Sequence, residues 1–232
     1  MKAISSMATR QVLSALLESA VASGFPLTEL ESVGGIDAAR RVRSGEPVDL
    51  VFLADDVLRR LAEEGHIEEQ SITPLVLSQV AVAVRAEEAS MPDQTVSPAF
   101  GNRGEFVAAL LSAPRIGYST GPSGTELVRM IEGWNLGDVL GPRLVQARPG
   151  VPVAALLAEG EVDLGLQQLS ELVGKPGVRI LGVLPPDCAI DTVFSGAVSG
   201  VSADPRRAFA MLEFLATDRT ASIKWAHNFD TP

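Results

Sequence analysis

The 232-residue chain is poor in the side chains that carry metal and nucleophilic chemistry. It has one cysteine, Cys188, and two histidines, His66 and His227. A single cysteine excludes an intrachain disulfide, and this set of ligands is too small for an ordinary structural zinc site. The chain also lacks a Walker loop, a GxGxxG motif after a strand and an HExxH motif. We therefore predict no metal site and no cofactor.

Positive charge is scarce as well. The chain has 19 lysines and arginines against 29 aspartates and glutamates, a net charge of -10. Nucleic acid and anionic membranes need clustered cations, so neither is predicted as a partner. Binding of an anionic ligand would therefore depend on local backbone dipoles and a few cationic side chains.

Long apolar runs are also missing. No stretch is long enough to cross a bilayer, which predicts no membrane insertion. The segment Met1–Met7 lacks the roughly 7 to 15 apolar residues of a signal-peptide core. As written, the sequence predicts a cytoplasmic protein, and a periplasmic one if a leader was removed.

The residues that are present, 46% of them hydrophobic, alternate between short apolar runs and helical periodicity. This alternation predicts an α/β fold with mostly parallel strands. The polar stretch 85–103, which contains Pro92, Pro98 and Gly101, is the predicted linker. Strands are predicted near Ala3 and over 30–33, 48–53, 76–84, 115–118, 144–147, 162–166 and 178–183, and helices over 11–22, 38–44, 57–64, 126–134, 153–159 and 208–216.

The most informative segment runs from the predicted strand at 115–118 through a small-residue loop into a helix. Ser119, Ser123 and Thr125 offer hydroxyls, and Gly121 and Gly124 allow close backbone approach. Because a helix start points N–H groups outward, this turn predicts an anion site. Alternatively, Ser123 or Thr125 is a plain N-cap of its own helix.

Two further strand-to-helix turns share this character, one at Ser5 and Ser6 and one at Gly34 and Gly35. Ligands of open α/β sheets bind outside the carboxyl ends of the strands, so the three turns predict one oxyanion or carboxylate site. The alternative is that each turn is an ordinary strand-to-helix connection.

Four segments together resemble the molybdate-type solute-binding proteins of ABC transporters. They are the Ser5–Ser6 pair, Gly45-Glu-Pro-Val-Asp-Leu-Val-Phe-Leu-Ala-Asp55, Pro122-Ser-Gly124 and Gly160-Glu-Val-Asp-Leu-Gly165. The resemblance implies a two-lobed type II periplasmic-binding fold, each lobe a mostly parallel sheet flanked by helices. It implies one lobe over 1–78 and 193–232, a second over 79–192 and a ligand cleft between them. A transporter permease is the implied partner if the protein is exported.

The same resemblance assigns ligand-binding roles. Ser6 matches the N-terminal hydroxyl ligand of the family, Gly34 or Gly35 the second loop, and Ser123 the third loop. Where the molybdate binders carry a tyrosine, this chain has Gln168. That departure argues against selectivity for a tetrahedral oxyanion.

The segment Gly165-Leu-Gln-Gln-Leu-Ser-Glu-Leu172 resembles a distinct branch of these proteins, to which aconitate isomerase is similar. The implied activity is a shift of a double bond in a tricarboxylate without a cofactor. Arg148 is then a candidate partner for a carboxylate, or else an exposed loop residue. Since Gln167 and Gln168 alternate in direction, only one can face the ligand. We choose Gln168 and expect Gln167 to bond to backbone.

No catalytic base can be assigned from the sequence. Asp37 follows the glycine turn and could be a base, or a group that stabilises the helix start. His66 and His227 are predicted to be surface or capping residues. Tyr118, the only tyrosine, is predicted to be a phenol in the core.

Two other chemistries are weaker. Gly117-Tyr-Ser-Thr-Gly121 fits the Gly-x-Ser-x-Gly hydrolase pattern with Ser119 as nucleophile, but Pro122-Ser-Gly124 interrupts the sharp turn that such a serine needs. Asp49 and the pair Asp55–Asp56 could bind a divalent cation, although Asp55 more simply caps the next helix.

The sequence thus predicts a domain of the substrate-binding-protein type that closes on a small oxyanion or organic polycarboxylate. The first alternative is a cofactor-independent isomerase of a tricarboxylate such as aconitate, which works by proton transfer. The second alternative is a cytosolic ligand sensor.

Overall fold

A computed structural model describes residues 1–86, 97–148 and 150–232. The chain divides into two compact units, one made of Met1–Ser78 with Thr192–Pro232 and the other of Gln79–Asp191. The strands are β1 (Lys2–Ser6), β2 (Glu29–Val33), β3 (Leu50–Ala54), β4 (Thr73–Arg85), β5 (Ile116–Tyr118), β6 (Leu144–Gln146), β7 (Leu164–Gln168), β8 (Val178–Val183) and β9 (Asp191–Val198). The helices are α1 (Arg10–Ala22), α2 (Gly35–Arg43), α3 (Asp55–Glu63), α4 (Arg103–Ser112), α5 (Pro122–Gly133), α6 (Gly137–Leu140), α7 (Val153–Ala158), α8 (Leu169–Leu172), α9 (Pro205–Ala216) and α10 (Ala221–Ala226).

The first unit is built on the strand order β2-β1-β3-β9. Strands β1, β2 and β3 run parallel, and β9 runs antiparallel to β3. Strand β3 is buried along its whole length because its two faces enter different cores. Phe52 packs with helices α1 and α9 on one face, and Val51 packs with α2 and α3 on the other. A strand covered on both faces must be apolar throughout, which explains the run Leu-Val-Phe-Leu-Ala.

The second unit has the order β4-β7-β5-β6, with β8 paired to β4. Strands β5, β6 and β7 are parallel, whereas β4 is antiparallel to both β7 and β8. Gly117 and Gly165 are register partners on β5 and β7. A Cβ on Gly117 would lie 2.9 Å from Val162 Cγ2, and one on Gly165 would lie 2.7 Å from Leu157 Cδ1. Both glycines therefore serve close packing against this face of the sheet.

The α/β class and the predicted strands are confirmed, with differences at the ends of elements. Helices α2 and α5 begin three and four residues earlier than the predicted starts at 38 and 126. Strand β9 and helices α4, α6, α8 and α10 were not predicted. The predicted linker 85–103 is corrected at both ends, because β4 extends to Arg85 and α4 begins at Arg103. Its central part, 87–96, lies outside the described residues.

Candidate functional site

The carboxyl ends of β1 and β2 bring two of the predicted turns together in the first unit. Ser6 is the register partner of Val33, and a Cβ on Gly35 would lie 3.7 Å from Ser6 Cβ. Ser6 is 7% exposed, and within the described ranges its Oγ has no hydrogen-bond partner. Ser5, which points the other way, bonds through its Oγ to Ser32 Oγ at 2.8 Å. Ser6 therefore offers a free hydroxyl at the turn, and Ser5 does not.

Helix α2 starts beside this hydroxyl without a side-chain cap. Its N-cap is Gly34, which has no side chain, so the N–H groups of the first turn are open to an external acceptor. Asp37, the candidate base, instead contacts Arg40, with Nε donating to Oδ1 at 3.2 Å on an exposed surface. The polar groups of this turn are thus a serine hydroxyl and backbone donors, which suits an anion.

At the end of the neighbouring strand β3, helix α3 also begins without a side-chain cap, after the N-cap residue Ala54. Asp55 is the first residue of α3 and makes no side-chain cap, so the capping prediction is wrong. Its carboxylate accepts from Ser195 Oγ at 2.7 Å and from Arg59 Nε at 2.6 Å. Among the residues with described positions, no cluster of three metal-ligating side chains occurs. Asp55 thus ties β9 to α3.

Asp49, the other proposed cation ligand, is also committed to structure. Burial opposes its ionisation, but three donors outweigh that effect and lower the pKa of the carboxyl. They are Lys2 N at 2.9 Å, Ser202 Oγ at 2.9 Å and Ala203 N at 3.1 Å. The carboxylate stabilises the segment after β9.

In the second unit the loop after β5 meets the start of α5. Ser119 Oγ and Ser123 Oγ lie 3.2 Å apart, and Ser123 is buried. The N-cap of α5 is Gly121, with no side-chain cap, so the alternative of Ser123 or Thr125 as cap is excluded. Thr125 is exposed, and its Oγ1 donates to Gly121 O at 3.5 Å. Ser123 is the buried hydroxyl of this turn.

Gly124 has a steric role in the same turn. A Cβ at this position would overlap the carbonyl oxygen of Ser119 and lie 3.1 Å from Tyr118 Cδ2. The helix can approach the loop backbone only because residue 124 has no side chain. Ser119 Oγ bonds to Ser123 Oγ rather than to an imidazole, which argues against the hydrolase interpretation.

Strand β7 ends beside this loop, because its Leu166 is the parallel register partner of Tyr118. Gln168 is 5% exposed, and its Oε1 has no hydrogen-bond partner within the described chain. Gln167 Oε1 accepts from Val153 N at 2.8 Å, which confirms the prediction that this glutamine bonds to backbone. Its Nε2 donates to Glu171 Oε2. Of the two glutamines, Gln168 has the free group.

Three polar residues near these strands carried no signal in the sequence. Ser78 Oγ and Ser170 Oγ are buried without a partner among the residues whose positions are described. Burial raises the pKa of Glu171, against the opposing effects of the Gln167 hydrogen bond and of Lys175. A serine hydroxyl stands out only when the structure shows that it is buried and lacks a partner, and a sequence pattern does not give this information.

Five further residues of chemical interest are Arg148, His66, His227, Tyr118 and Cys188. The Arg148 side chain is 72% exposed, and its Nη2 is 3.7 Å from Glu161 Oε1. His66 Nε2 is 3.9 Å from Glu64 Oε2 just after α3, and His227 is the C-cap residue of α10. Tyr118 packs against the core of the second unit. Burial raises the pKa of the Cys188 thiol to about 11.

Residues 4–230 match the family model described as bacterial extracellular solute-binding protein. The chain belongs to this family. It is 32% identical over 226 residues to an aconitate isomerase from a Pseudomonas species, covering 93% of this chain and 80% of that protein. The predicted substrate-binding-protein class is therefore confirmed for this solute-binding protein.

Solved structures confirm the type II periplasmic-binding fold of this solute-binding protein. The substrate-binding domain of a provisionally assigned molybdenum ABC transporter from Clostridium difficile has a TM-score of 0.77 at 17% identity, covering 100% of this chain and 98% of that one. The periplasmic molybdate-binding protein of Azotobacter vinelandii has a TM-score of 0.73 at 17% identity, covering 100% and 99%. Within the described residues no helix is long and apolar enough to cross a membrane.

Proposed function

We propose that this solute-binding protein binds a small anion, and each unit carries one candidate set of groups for it. The first set is Ser6 Oγ with the open N–H groups at the start of α2. The second set is Ser123, the start of α5 and the amide of Gln168. The observation that carries the proposal is that Ser6 Oγ and Gln168 Oε1 are buried at these strand ends without hydrogen-bond partners in the described part of the chain.

Unpartnered buried polar atoms are costly, at about 1–3 kcal/mol each. A bound anion would remove part of that cost, since a serine hydroxyl donates to an anionic oxygen. The Gln168 amide is both a donor through Nε2 and an acceptor through Oε1. A ligand that carries carboxylates together with a hydroxyl or a protonated carboxyl would satisfy both ends of the amide, whereas a fully ionised inorganic oxyanion offers acceptors only.

Two exposed apolar side chains favour an organic anion. Met7 directly follows Ser6 and is 53% exposed, and Ile36 directly follows Gly35 and is 91% exposed. Because Ser6 and Gly35 are neighbours, both side chains flank the same turn. An organic polycarboxylate has a carbon skeleton that can cover apolar surface, and molybdate or sulfate has none.

Thermal unfolding with molybdate, tungstate, sulfate, citrate, cis-aconitate and trans-aconitate tests the proposal. We expect a polycarboxylate to raise the melting temperature most. Ile36→Ser should weaken the binding of that polycarboxylate and leave the binding of any inorganic anion unchanged. Leu27→Ser, a change at another exposed apolar side chain, should alter neither. If none of the six anions stabilises the protein, the anion-binding proposal is wrong.

Isomerisation of a tricarboxylate is the second candidate, favoured by the 32% identity to an aconitate isomerase. Such a reaction needs a group that removes a proton from carbon and one that returns it. Proton NMR of cis-aconitate with the protein in D2O distinguishes the candidates. Formation of the trans isomer with deuterium incorporation would show turnover, and unchanged substrate at saturation would leave binding alone.

We also propose that the protein acts outside the cytoplasm, as a partner of an ABC transporter permease. The description of the family as extracellular supports this location. Fractionation of cells that express the gene from its own locus tests it. Recovery of the protein in the periplasmic or extracellular fraction is expected, and recovery only in the cytosol would favour a cytosolic enzyme or sensor.

A further inference from the structure

We propose a second anion site, in the second unit, that takes a small polyanion with phosphate or carboxylate groups. The site is a surface cavity of about 690 Å³ lined by Arg85, Arg115 and Arg179, together with Gly160 and Asp163. The volume lies within the range of roughly 300–1,000 Å³ typical of small-molecule sites.

Strand register explains how three arginines from distant parts of the chain reach one cavity. Arg115 and Asp163 directly precede the paired strands β5 and β7, at the amino end of this parallel pair. On the antiparallel strands β4 and β8, Arg179 is the register partner of Val84, the residue before Arg85. The cavity therefore lies at the end of the sheet opposite to Ser119 and Gln168.

The charges at this cavity are incompletely neutralised. Asp163 holds Arg115 through two hydrogen bonds, with Nε 3.1 Å from Oδ2 and Nη2 3.2 Å from Oδ1. Within 1–86, 97–148 and 150–232, Arg85 and Arg179 form no ion pair. Two guanidinium groups without an ion-pair partner in the described part of the chain thus line one cavity of a protein whose net charge is -10.

The backbone leaves room for one of these guanidinium groups. Gly160 has a φ of +73°, and a Cβ on it would lie 3.0 Å from Arg85 Nη1. A side chain at this position would be strained and would push against Arg85. Guanidinium groups bind carboxylate and phosphate oxygens through paired N–H bonds, so the cavity has the chemistry of a dianion or larger polyanion.

Isothermal titration with inorganic pyrophosphate at low ionic strength tests this site. We expect one pyrophosphate per chain, and an affinity at least about tenfold lower in the double variant R85Q/R179Q, because charged hydrogen bonds are lost. The control R10Q/R206Q removes the same two charges from exposed positions of the first unit and should stay within about twofold of the parent. Circular dichroism would verify that both variants are folded.

Three results would overturn the proposal: no binding by the parent protein, equal losses in the two double variants, or loss of pyrophosphate binding in S6A/Q168L. The last result would place the anion at the strand ends described above. The proposal does not rest on the proposed function, because pyrophosphate binding should persist when S6A/Q168L no longer responds to any of the six anions.

Discussion

Hydrogen bonding of the side-chain oxygen distinguishes Ser6, proposed as a ligand group, from a serine with a structural role. Ser6 Oγ is buried and has no hydrogen-bond partner among the described residues, whereas Ser71 Oγ accepts from Val198 N at 2.8 Å and donates to Glu68 O at 2.6 Å. Both side chains are nearly inaccessible to solvent. The two serines are a matched pair for separating binding from stability.

We predict that Ser6→Ala increases the unfolding free energy of the ligand-free protein by about 1 kcal/mol, because an unsatisfied hydroxyl is removed. The same change should lower the affinity for the stabilising anion by at least about tenfold. Ser71→Ala should do the opposite, with a loss of about 1–3 kcal/mol of stability and unchanged affinity. Urea unfolding and calorimetric titration measure the two quantities; a Ser6→Ala protein with normal affinity would remove Ser6 from the site.

The buried carboxyl of Glu171 predicts how the stability of the protein depends on pH. Burial raises the pKa of the Glu171 carboxyl above its ordinary value, so the folded state binds this proton more tightly than the unfolded chain does. The bound proton therefore stabilises the folded protein fully when the pH is below the pKa of this carboxyl in the unfolded chain. This stabilisation is lost as the pH rises through the pKa of the carboxyl in the folded protein. Glu171→Gln, which keeps a partner for Gln167, should therefore be stabilising at pH 8 and nearly neutral at about pH 4.

Denaturant unfolding of Glu171→Gln across this pH range measures the difference. The control Glu213→Gln changes the same charge on an exposed face of α9 and should shift stability little at either pH. A pH-independent effect of Glu171→Gln would show that Lys175, whose charge favours the ionised carboxylate, compensates for burial.

At the scale of elements, helix α5 contains two glycines with opposite requirements. A side chain at Gly124 would overlap the Ser119 carbonyl, whereas nothing lies within 4 Å of a Cβ at Gly133. We predict that Gly124→Ala costs about 1–3 kcal/mol and disrupts the Ser119–Ser123 contact. Gly133→Ala should add up to about 1 kcal/mol through helix propensity. Thermal melts of the two variants test this, and a neutral Gly124→Ala would show that α5 can shift on its loop.

Element prediction succeeded where a single pattern determined the structure. Buried strands such as β3 are continuous apolar runs, and α1 has a clear helical period. Strand β9 was missed because Ser195 and Gly196 interrupt its apolar pattern. In the fold Ser195 bonds to Asp55, and a Cβ on Gly196 would lie 2.5 Å from Leu212 Cδ2. These tertiary contacts do not appear in a local pattern.

Helix starts were the other source of error. Helices α2 and α5 have glycine N-caps, so the side-chain signal that usually marks a start is absent. The start of α4 did carry that signal, since Asn102 Oδ1 accepts from Glu105 N at 3.1 Å, but it lay within the predicted linker. Ser6 was predicted as a ligand group from its turn and Gln168 from family resemblance, and both remain predictions. Ser78, Ser170 and Glu171 stand out only once burial is known.

At the scale of the whole molecule, ligand binding should appear as a shift of global unfolding. An anion present at 100 times its dissociation constant adds about 2.7 kcal/mol to the unfolding free energy. For a chain of this size that corresponds to a rise in melting temperature of roughly 5–11 °C. Differential scanning calorimetry should show this rise as a shift of the unfolding transition. Two separate transitions, only one of which moves, would assign the ligand to a single unit.

The two units become complete at different times during synthesis of the chain. The second unit is one continuous segment, and its ends meet where Val80 N donates to Ile190 O at 3.1 Å. The first unit is interrupted, and its Asp55–Ser195 contact joins residues 140 positions apart. A ribosome therefore releases everything needed for the second unit while β3 still lacks β9 as its neighbour. The exposed edge of β3 during that interval is the place where a chaperone would be most useful to the nascent chain.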